Sequence, residues 1–200
     1  MTIRMVFALV MLLAGTWGAA ADEDTRRIRG TITQVEGPAL TIATREGATV
    51  RVTLKPGARV AAVVPADLAA ARPGSFIGTA AVPQADGTLR AQEVLIFPEA
   101  MRGVGEGHRP WDLTPDSTMT NATVEATVAA ASGPELTLTY QGGQQRLVVP
   151  PGTPVVTLEP GNEQLLQPGS HVFLGASPNQ DGSFGATRIM VGKDGLVPPM

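Results

Sequence analysis

The stretch from residue 103 to residue 112 reads GVGEGHRPWD and concentrates side chains that are suited to chemistry. His108 is a natural ligand for a borderline metal, and the thioethers of Met101 and Met119 would complete a site for copper. The chain has only two histidines and no cysteine, so a tight site would also need oxygen ligands from neighbouring carboxylates. This set of residues predicts the binding of copper or zinc as one of two hypotheses for the protein.

The same stretch fits two other chemistries poorly. Its three glycines have the spacing G-x-G-x-G, whereas a dinucleotide site needs G-x-G-x-x-G at the start of a helix, and Pro110 stands where that helix would run. For hydrolysis, His108, Asp112 and Ser117 supply the residue types of a triad but crowd one loop. The chain also has no G-x-S-x-G elbow. We therefore expect no catalytic residues and no bound nucleotide.

Trp111 predicts that residues 99–121 form an ordered, irregular linker rather than a loose tether. Burial of a large apolar side chain yields roughly 1.5–3 kcal/mol, so this tryptophan is expected to pack against one barrel or in the cleft between both. Arg109 and Asp112 flank it and are expected to share the inter-domain or partner contact. The glycines and prolines of the segment exclude a long helix or a central strand.

The beginning of the chain has the features of a secretory signal peptide. One positive charge at Arg4 precedes an apolar run from Met5 to Ala14, and Ala19-Ala20-Ala21 provides small residues at the A-x-A spacing. We predict cleavage after Ala21 and a periplasmic or secreted protein. No later segment of the sequence is long and apolar enough to span a bilayer, so the mature protein is not expected to be an integral membrane protein.

The composition narrows the class of partner. The formal net charge is −3 and cysteine is absent, so the chain offers neither a basic surface for nucleic acid nor disulfide bonds. We expect no nucleic-acid partner. An envelope protein, a peptide or a glycan remains as the expected partner.

An internal repeat sets the predicted architecture. Three turn motifs recur 95 or 96 residues apart: Gly37-Pro38 with Gly133-Pro134, Pro73-Gly74 with Pro168-Gly169, and Asp86-Gly87 with Asp181-Gly182. A repeat at a fixed period indicates a duplicated structural unit. The predicted organisation is a signal peptide at 1–21, domains at 27–98 and 122–194 joined by the linker 99–121, and a tail at 195–200.

The sequence of each copy predicts a small β domain. Leu40 and Ile42 alternate with polar or small residues, as do Val50, Val52 and Leu54, which is typical of half-buried strands. The order of elements is three strands, a short helix and two strands. This is the order of the OB-fold, a five-stranded Greek-key barrel. The predicted fold class is therefore all-β, with two tandem OB-like barrels that each carry a short helix.

The repeat also resembles a family of secreted bacterial domains of unknown function. The resemblance lies in the step Pro73-Gly74-Ser75 with Ile77, in the ending Asp86-Gly87 with Ala91, and in the corresponding positions of the second copy. The two-copy chain is similar to alphaproteobacterial exported proteins that sometimes carry the label metal-transporter permease. The resemblance implies a fold and an exported location and says little about activity, although the label points to metal as a ligand.

These observations favour a non-catalytic binding or assembly module of the cell envelope, with no cofactor. The alternative is a periplasmic protein that binds copper or zinc through the His108 loop.

Overall fold

The structure, a computed structural model, describes residues 25–200 and is all-β. The strands of this part are β1 (Arg26–Glu36), β2 (Ala39–Thr44), β3 (Thr49–Pro65), β4 (Phe76–Pro83), β5 (Leu89–Ala91), β6 (Val94–Ile96), β7 (Gly107–Pro110), β8 (Thr118–Val128), β9 (Glu135–Tyr140), β10 (Gly143–Val148), β11 (Val155–Pro160), β12 (His171–Pro178) and β13 (Phe184–Gly192). The helical segments are short 3₁₀ turns at Leu68–Ala70, Glu99–Met101, Glu163–Leu165 and Lys193–Gly195. Residues 1–24, with the predicted signal peptide, lie outside the described residues. Between residues 25 and 200 there is no helix of the length and apolarity that a membrane crossing requires.

Five strands close into a barrel, which we call the first ring. β1 pairs with β2, β2 with β3, β3 with β13, β13 with β12, and β12 returns to β1. Successive side chains along a strand point to opposite faces, so alternate residues of all five strands meet inside. Ile32, Leu40, Ile42 and Val52 are fully buried there. The predicted all-β class and a closed five-stranded barrel are confirmed.

Five further strands are joined in the same circular way, and we call them the second ring. β8 pairs with β9, β9 with β10, β10 with β5, β5 with β4, and β4 returns to β8. Their buried side chains form a separate apolar cluster that includes Ile77, Leu136, Leu138 and Leu147. Each ring therefore has its own core.

Each ring takes strands from both halves of the sequence. The first ring combines β1, β2 and β3 with β12 and β13, and the second combines β8, β9 and β10 with β4 and β5. The expected division into contiguous barrels at 27–98 and 122–194 is therefore not confirmed. The two copies present similar strand edges, so a strand pair can close either ring with similar contacts, as in domain swapping. The pattern of one copy carries no information about this choice.

The exchange follows an approximate two-fold axis at the centre of the sheet. β3 and β11 run antiparallel with Val63 opposite Leu158, its counterpart 95 residues later. The parallel pairing of β13 with β3 recurs, shifted by the same 95 residues, between β6 and β11. A third apolar cluster, which contains both Val63 and Leu158, fills the space around this axis. The sequence repeat is thus also a repeat of strand pairings.

The segment 99–121 is more regular than predicted. β7 lies within it and pairs only with β8, at the edge of the sheet. The first residues of β8, from Thr118 to Asn121, pair with β4 and belong to the second ring. The boundary at residue 122 is therefore too late, because β4 comes from the other half of the chain and its contribution is invisible in the local sequence.

The predicted tail 195–200 packs onto the first ring. Arg45 donates a hydrogen bond to the main-chain oxygen of Pro198 at 2.9 Å. Nε of Arg29 donates to the main-chain oxygen of Met200 at 2.8 Å. The Met200 side chain is 3 % exposed and joins the cluster around the two-fold axis.

Candidate functional site

A cavity of about 600 Å³ lies between the two rings, and we call it the junction cavity. Residues of β1, β3, β12 and β13 line it from the first ring, and residues of β4 and β8 line it from the second. The chain from Glu93 to Trp111 supplies the rest of its wall. Small-molecule sites have volumes of roughly 300–1,000 Å³, so the junction cavity has the size of a binding site.

Unpartnered polar atoms are concentrated at this cavity. Among residues 25–200, three buried side-chain atoms have no hydrogen-bond partner: Oε2 of Glu93, Nε1 of Trp111 and Oδ1 of Asn121. All three residues line the junction cavity. An unsatisfied buried polar group costs roughly 1–3 kcal/mol, so native proteins keep few of them without a reason. Within residues 25–200, the unsatisfied buried side-chain atoms therefore all belong to residues of this one cavity wall.

Glu93 lies between β5 and β6 and is 1 % exposed. Its Oε1 accepts a hydrogen bond from the Ala80 main-chain N–H at 2.8 Å, and this bond favours the ionised carboxylate. Desolvation outweighs it and raises the pKa of Glu93 to about 8. At neutral pH the side chain is therefore mostly the neutral acid, which can donate one hydrogen bond.

Asn121 lies on β8, opposite Gly78 of β4. Its Nδ2 donates to the main-chain oxygen of Val104 at 2.9 Å. Its Oδ1 is buried and accepts no hydrogen bond. A Cβ at position 78 would lie 2.8 Å from this Oδ1 and 3.1 Å from the Phe97 ring. Glycine at 78 therefore keeps room for the amide.

Trp111 packs against the first ring, as its sequence position predicts. The guanidinium of Arg27 lies 4.0 Å from the centroid of the Trp111 ring, and the Phe173 ring lies 6.4 Å away. The guanidinium of Arg109 lies 5.6 Å from the centroid of the same indole ring. Cation–π contacts of this kind add about 0.5–1 kcal/mol each at exposed sites. They attach the segment after β7 to β1 and β12.

Asp112 makes the second attachment of this segment. Its carboxylate accepts from Arg29 at 2.7 Å and lies 3.6 Å from Arg27. Burial raises the pKa of Asp112, but the hydrogen bond from Arg29 and the two positive charges outweigh it, and the net pKa lies below its usual value. The predicted inter-domain residues Trp111, Arg109 and Asp112 thus lie together beside the first ring.

Arg109 is placed among like charges. It donates to the main-chain oxygen of Gly105 at 2.8 Å and lines the junction cavity. Burial lowers the pKa of Arg109, and the positive charge of Arg27 lowers it further. The repulsion indicates a positive potential in this part of the cavity.

The predicted metal ligands are not brought together. On the β7–β8 pair, His108 is opposite Thr120 and Arg109 is opposite Met119, so His108 and Met119 point to opposite faces. Nδ1 of His108 is hydrogen-bonded to Thr120 Oγ1 at 2.8 Å, and burial together with the charge of Arg109 lowers the pKa of His108.

Met101 and Met119 both line the junction cavity, and His108 does not. No group of three histidine, cysteine or carboxylate side chains within the described part of the chain is arranged to hold a metal. The structure therefore does not place His108, Met101 and Met119 around one common site.

Sequence reasoning missed several residues of the cavity. Glu93 and Arg188 both line it and are 95 residues apart, at equivalent positions of the repeat. A comparison of the two copies for positions of opposite charge would have included this pair. Asn121 was hidden because its neighbour across the sheet, Gly78, belongs to the other half of the chain.

Comparison with known protein families, with curated proteins and with solved structures finds no match to this chain. The resemblance to secreted bacterial domains stays a prediction from the turn motifs.

Proposed function

We propose that the protein is a non-catalytic binding module of the cell envelope and that it holds a small ligand in the junction cavity. The observation that carries this proposal is the coincidence of Glu93 Oε2, Trp111 Nε1 and Asn121 Oδ1 at one cavity without partners. A ligand with hydrogen-bond acceptors would satisfy the protonated Glu93 and Trp111 Nε1. The envelope location rests on the signal peptide predicted for residues 1–21.

The proposal treats the two rings as OB-like barrels that exchange their last two strands. In this view the barrels provide a rigid frame, and the ligand site is the junction between them. Small-molecule sites occur preferentially at domain interfaces, because two surfaces can enclose a ligand there without disturbing either core.

The attachment of Trp111 and Asp112 supports the same reading. Their contacts with Arg27 and Arg29 fix the segment 99–121 against the first ring, while β7 pairs with β8 of the second ring. The segment therefore bridges both rings at the wall of the cavity. Such a bridge holds the cavity open at a defined width.

The test uses N-phenyl-1-naphthylamine, a neutral apolar probe whose fluorescence rises in a dry environment. We expect saturable binding of the probe by the full chain. Thr187 is an exposed residue of β13 at the cavity wall, so Thr187→Trp should obstruct the cavity with little effect on either core. Thr33→Trp, at an exposed position of β1 that does not line the cavity, is the matched control.

The expected result is that Thr187→Trp weakens binding of the probe by about tenfold or more, while Thr33→Trp leaves it unchanged. The free energy of unfolding of both variants should be measured by urea titration to confirm that they are folded. Absence of saturable binding by the native chain, or equal affinity in both folded variants, would overturn the proposal.

A further inference from the structure

We propose that the ligand of the junction cavity is an amphipathic anion, with an apolar chain or ring system that ends in one carboxylate, sulfonate or phosphate. This inference rests on the proposed function, since it names the ligand class for the same cavity. It follows from the cationic and apolar side chains that together line this cavity.

The wall from the first ring carries cationic side chains beside the apolar Phe173, Leu174 and Met190. Arg27 of β1, Lys55 of β3 and Arg188 of β13 line the cavity, and Arg109 of β7 joins them. Within residues 25–200, Lys55 and Arg188 take part in no ion pair. Four positive side chains around one cavity attract an anion, and the attraction is strengthened by the low dielectric of the cavity walls.

Few carboxylates offset this charge. Asp112 is shared between Arg29 and Arg27 and does not line the cavity. Glu93 does line it, but its burial keeps the carboxyl neutral at neutral pH. A neutral Glu93 and the indole Nε1 of Trp111 are then both donors, and the oxygens of an anionic group are the acceptors that they lack.

The wall formed by β6, by the segment after it and by β8 is largely apolar. Leu95, Phe97, Met101, Val104 and Met119 line it. Methionine side chains are flexible and polarizable, so they adapt to an apolar chain of variable shape. This wall would hold the body of a ligand whose head group faces the arginines.

The two-fold frame makes this asymmetry informative. Arg188 of the first ring occupies the repeat position of Glu93, and Phe173 occupies that of Gly78. A duplicated frame would give a symmetric cavity if both copies had kept the same residues. The cavity instead differs across the axis in charge, at Arg188 and Glu93, and in bulk, at Phe173 and Gly78.

The test compares three ligands with the same twelve-carbon chain by isothermal titration calorimetry at pH 7, each below its micelle concentration. They are dodecanoate, dodecanol and dodecyltrimethylammonium. We expect dodecanoate to bind about tenfold or more tightly than dodecanol, and dodecyltrimethylammonium to bind more weakly than either.

Arg188→Glu reverses one charge of the cationic wall. It should weaken dodecanoate about tenfold or more and change the affinity for the neutral N-phenyl-1-naphthylamine several-fold less than that. Arg90→Glu, on an exposed position of β5 outside the cavity, should leave both affinities unchanged. If the two variants weaken dodecanoate equally, net charge alone explains the effect and the inference fails.

The outcomes separate this inference from the proposed function. If the neutral probe binds but dodecanoate is no tighter than dodecanol, the cavity is a binding site and the anion inference is wrong. A parallel titration with silver(I) tests the cavity methionines as a metal site. If the chain binds silver(I) and does not bind dodecanoate, the inference is again wrong. If no ligand binds, both proposals fail.

The source of the anion is decided by a second arm. The chain is incubated either with free dodecanoate or with phosphatidylglycerol vesicles and then analysed by native mass spectrometry. Retention of a phospholipid identifies a lipid head group as the anion, and retention of dodecanoate alone identifies a free fatty acid. Retention of neither, in a chain that binds the neutral probe, contradicts the inference.

Discussion

The interiors of the two rings and the cavity between them differ in how the two copies of the repeat correspond. Inside the rings, apolar residues match apolar residues: Ile42 corresponds to Leu138, and both are fully buried. At the junction cavity, Glu93 corresponds to Arg188 and Gly78 to Phe173. Duplication therefore accounts for the two similar cores, whereas the cavity depends on positions at which the two copies differ.

The largest expected effect concerns the matched cores. Ile42→Ala and Leu138→Ala should each lower the free energy of unfolding by about 2–5 kcal/mol, because each removes a fully buried side chain and leaves a void. Urea denaturation followed by circular dichroism measures both. Since the positions are equivalent, the two losses should be similar, and a negligible loss at one of them would break the correspondence of the rings.

A smaller effect is expected at Glu93, and it depends on pH. The pKa is about 8 in the folded protein and near 4.5 in the unfolded chain. The unfolded chain therefore releases its proton first, and stability that is present below pH 4.5 is lost as the pH rises toward 8. Burial and the hydrogen bond from Ala80 set this pKa. The cations Arg27, Lys55, Arg109 and Arg188 line the same cavity.

Glu93→Gln keeps an oxygen to accept from Ala80 and removes the ionisation. The variant should be more stable than the native chain by roughly 3 kcal/mol at pH 7 and equal to it near pH 4. Thermal denaturation across this range measures the difference. Glu159→Gln, at an exposed carboxylate 3.4 Å from Lys193, is the control and should show no such trend. A constant difference at all pH values would contradict the neutral, buried Glu93.

The attachment of the bridging segment gives the next effect. Asp112→Asn should lower the free energy of unfolding by about 1 kcal/mol, since it removes the charge that compensates the buried Arg29. The pKa of Asp112 is depressed, so its contribution is present at neutral pH and is lost as the pH falls below about 4. Glu36→Gln removes a more exposed pair with Arg51 and should cost less. Equal costs for the two variants would remove the distinction between the bridge and an ordinary surface pair.

The smallest effect on stability is expected at the rim of the cavity. Lys55→Ala should change the free energy of unfolding by less than about 0.5 kcal/mol, because Lys55 is exposed. It should nevertheless weaken dodecanoate about threefold, measured by calorimetry, because one cation of the wall is lost. Lys193→Ala lies outside the cavity and should leave the affinity unchanged. Equal affinities in the two variants would contradict a cationic wall that includes β3.

The sequence predicts much of the frame and little of the site, for a physical reason. Alternation at Leu40 and Ile42 and the turns at Asp86-Gly87 and Asp181-Gly182 are local signals, and they place strands and hairpins close to where the structure has them. The choice of which copy completes each ring depends on contacts between distant segments. Both copies offer similar edges, so local patterns cannot decide it.

The site depends on which copy of the repeat supplies the last two strands of each ring. Glu93, Asn121 and Arg188 meet only because β4 and β13 cross to the ring of the other half. The sequence predicts that Trp111 packs, because burial of a large apolar side chain is favourable against any apolar surface. The predicted His108–Met119 set failed to form because strand pairing directs these two side chains to opposite faces.

The Trp111 indole N–H gives the most direct test of the claim that the junction cavity holds a ligand. Its nuclear magnetic resonance signal can be isolated in a Trp17→Phe background, where Trp111 is the only tryptophan. With dodecanoate added stepwise, we predict a saturable downfield shift of this resonance, as the buried Nε1–H gains an acceptor. A resonance that stays in place while calorimetry shows the ligand to be bound would place the ligand elsewhere and contradict the account.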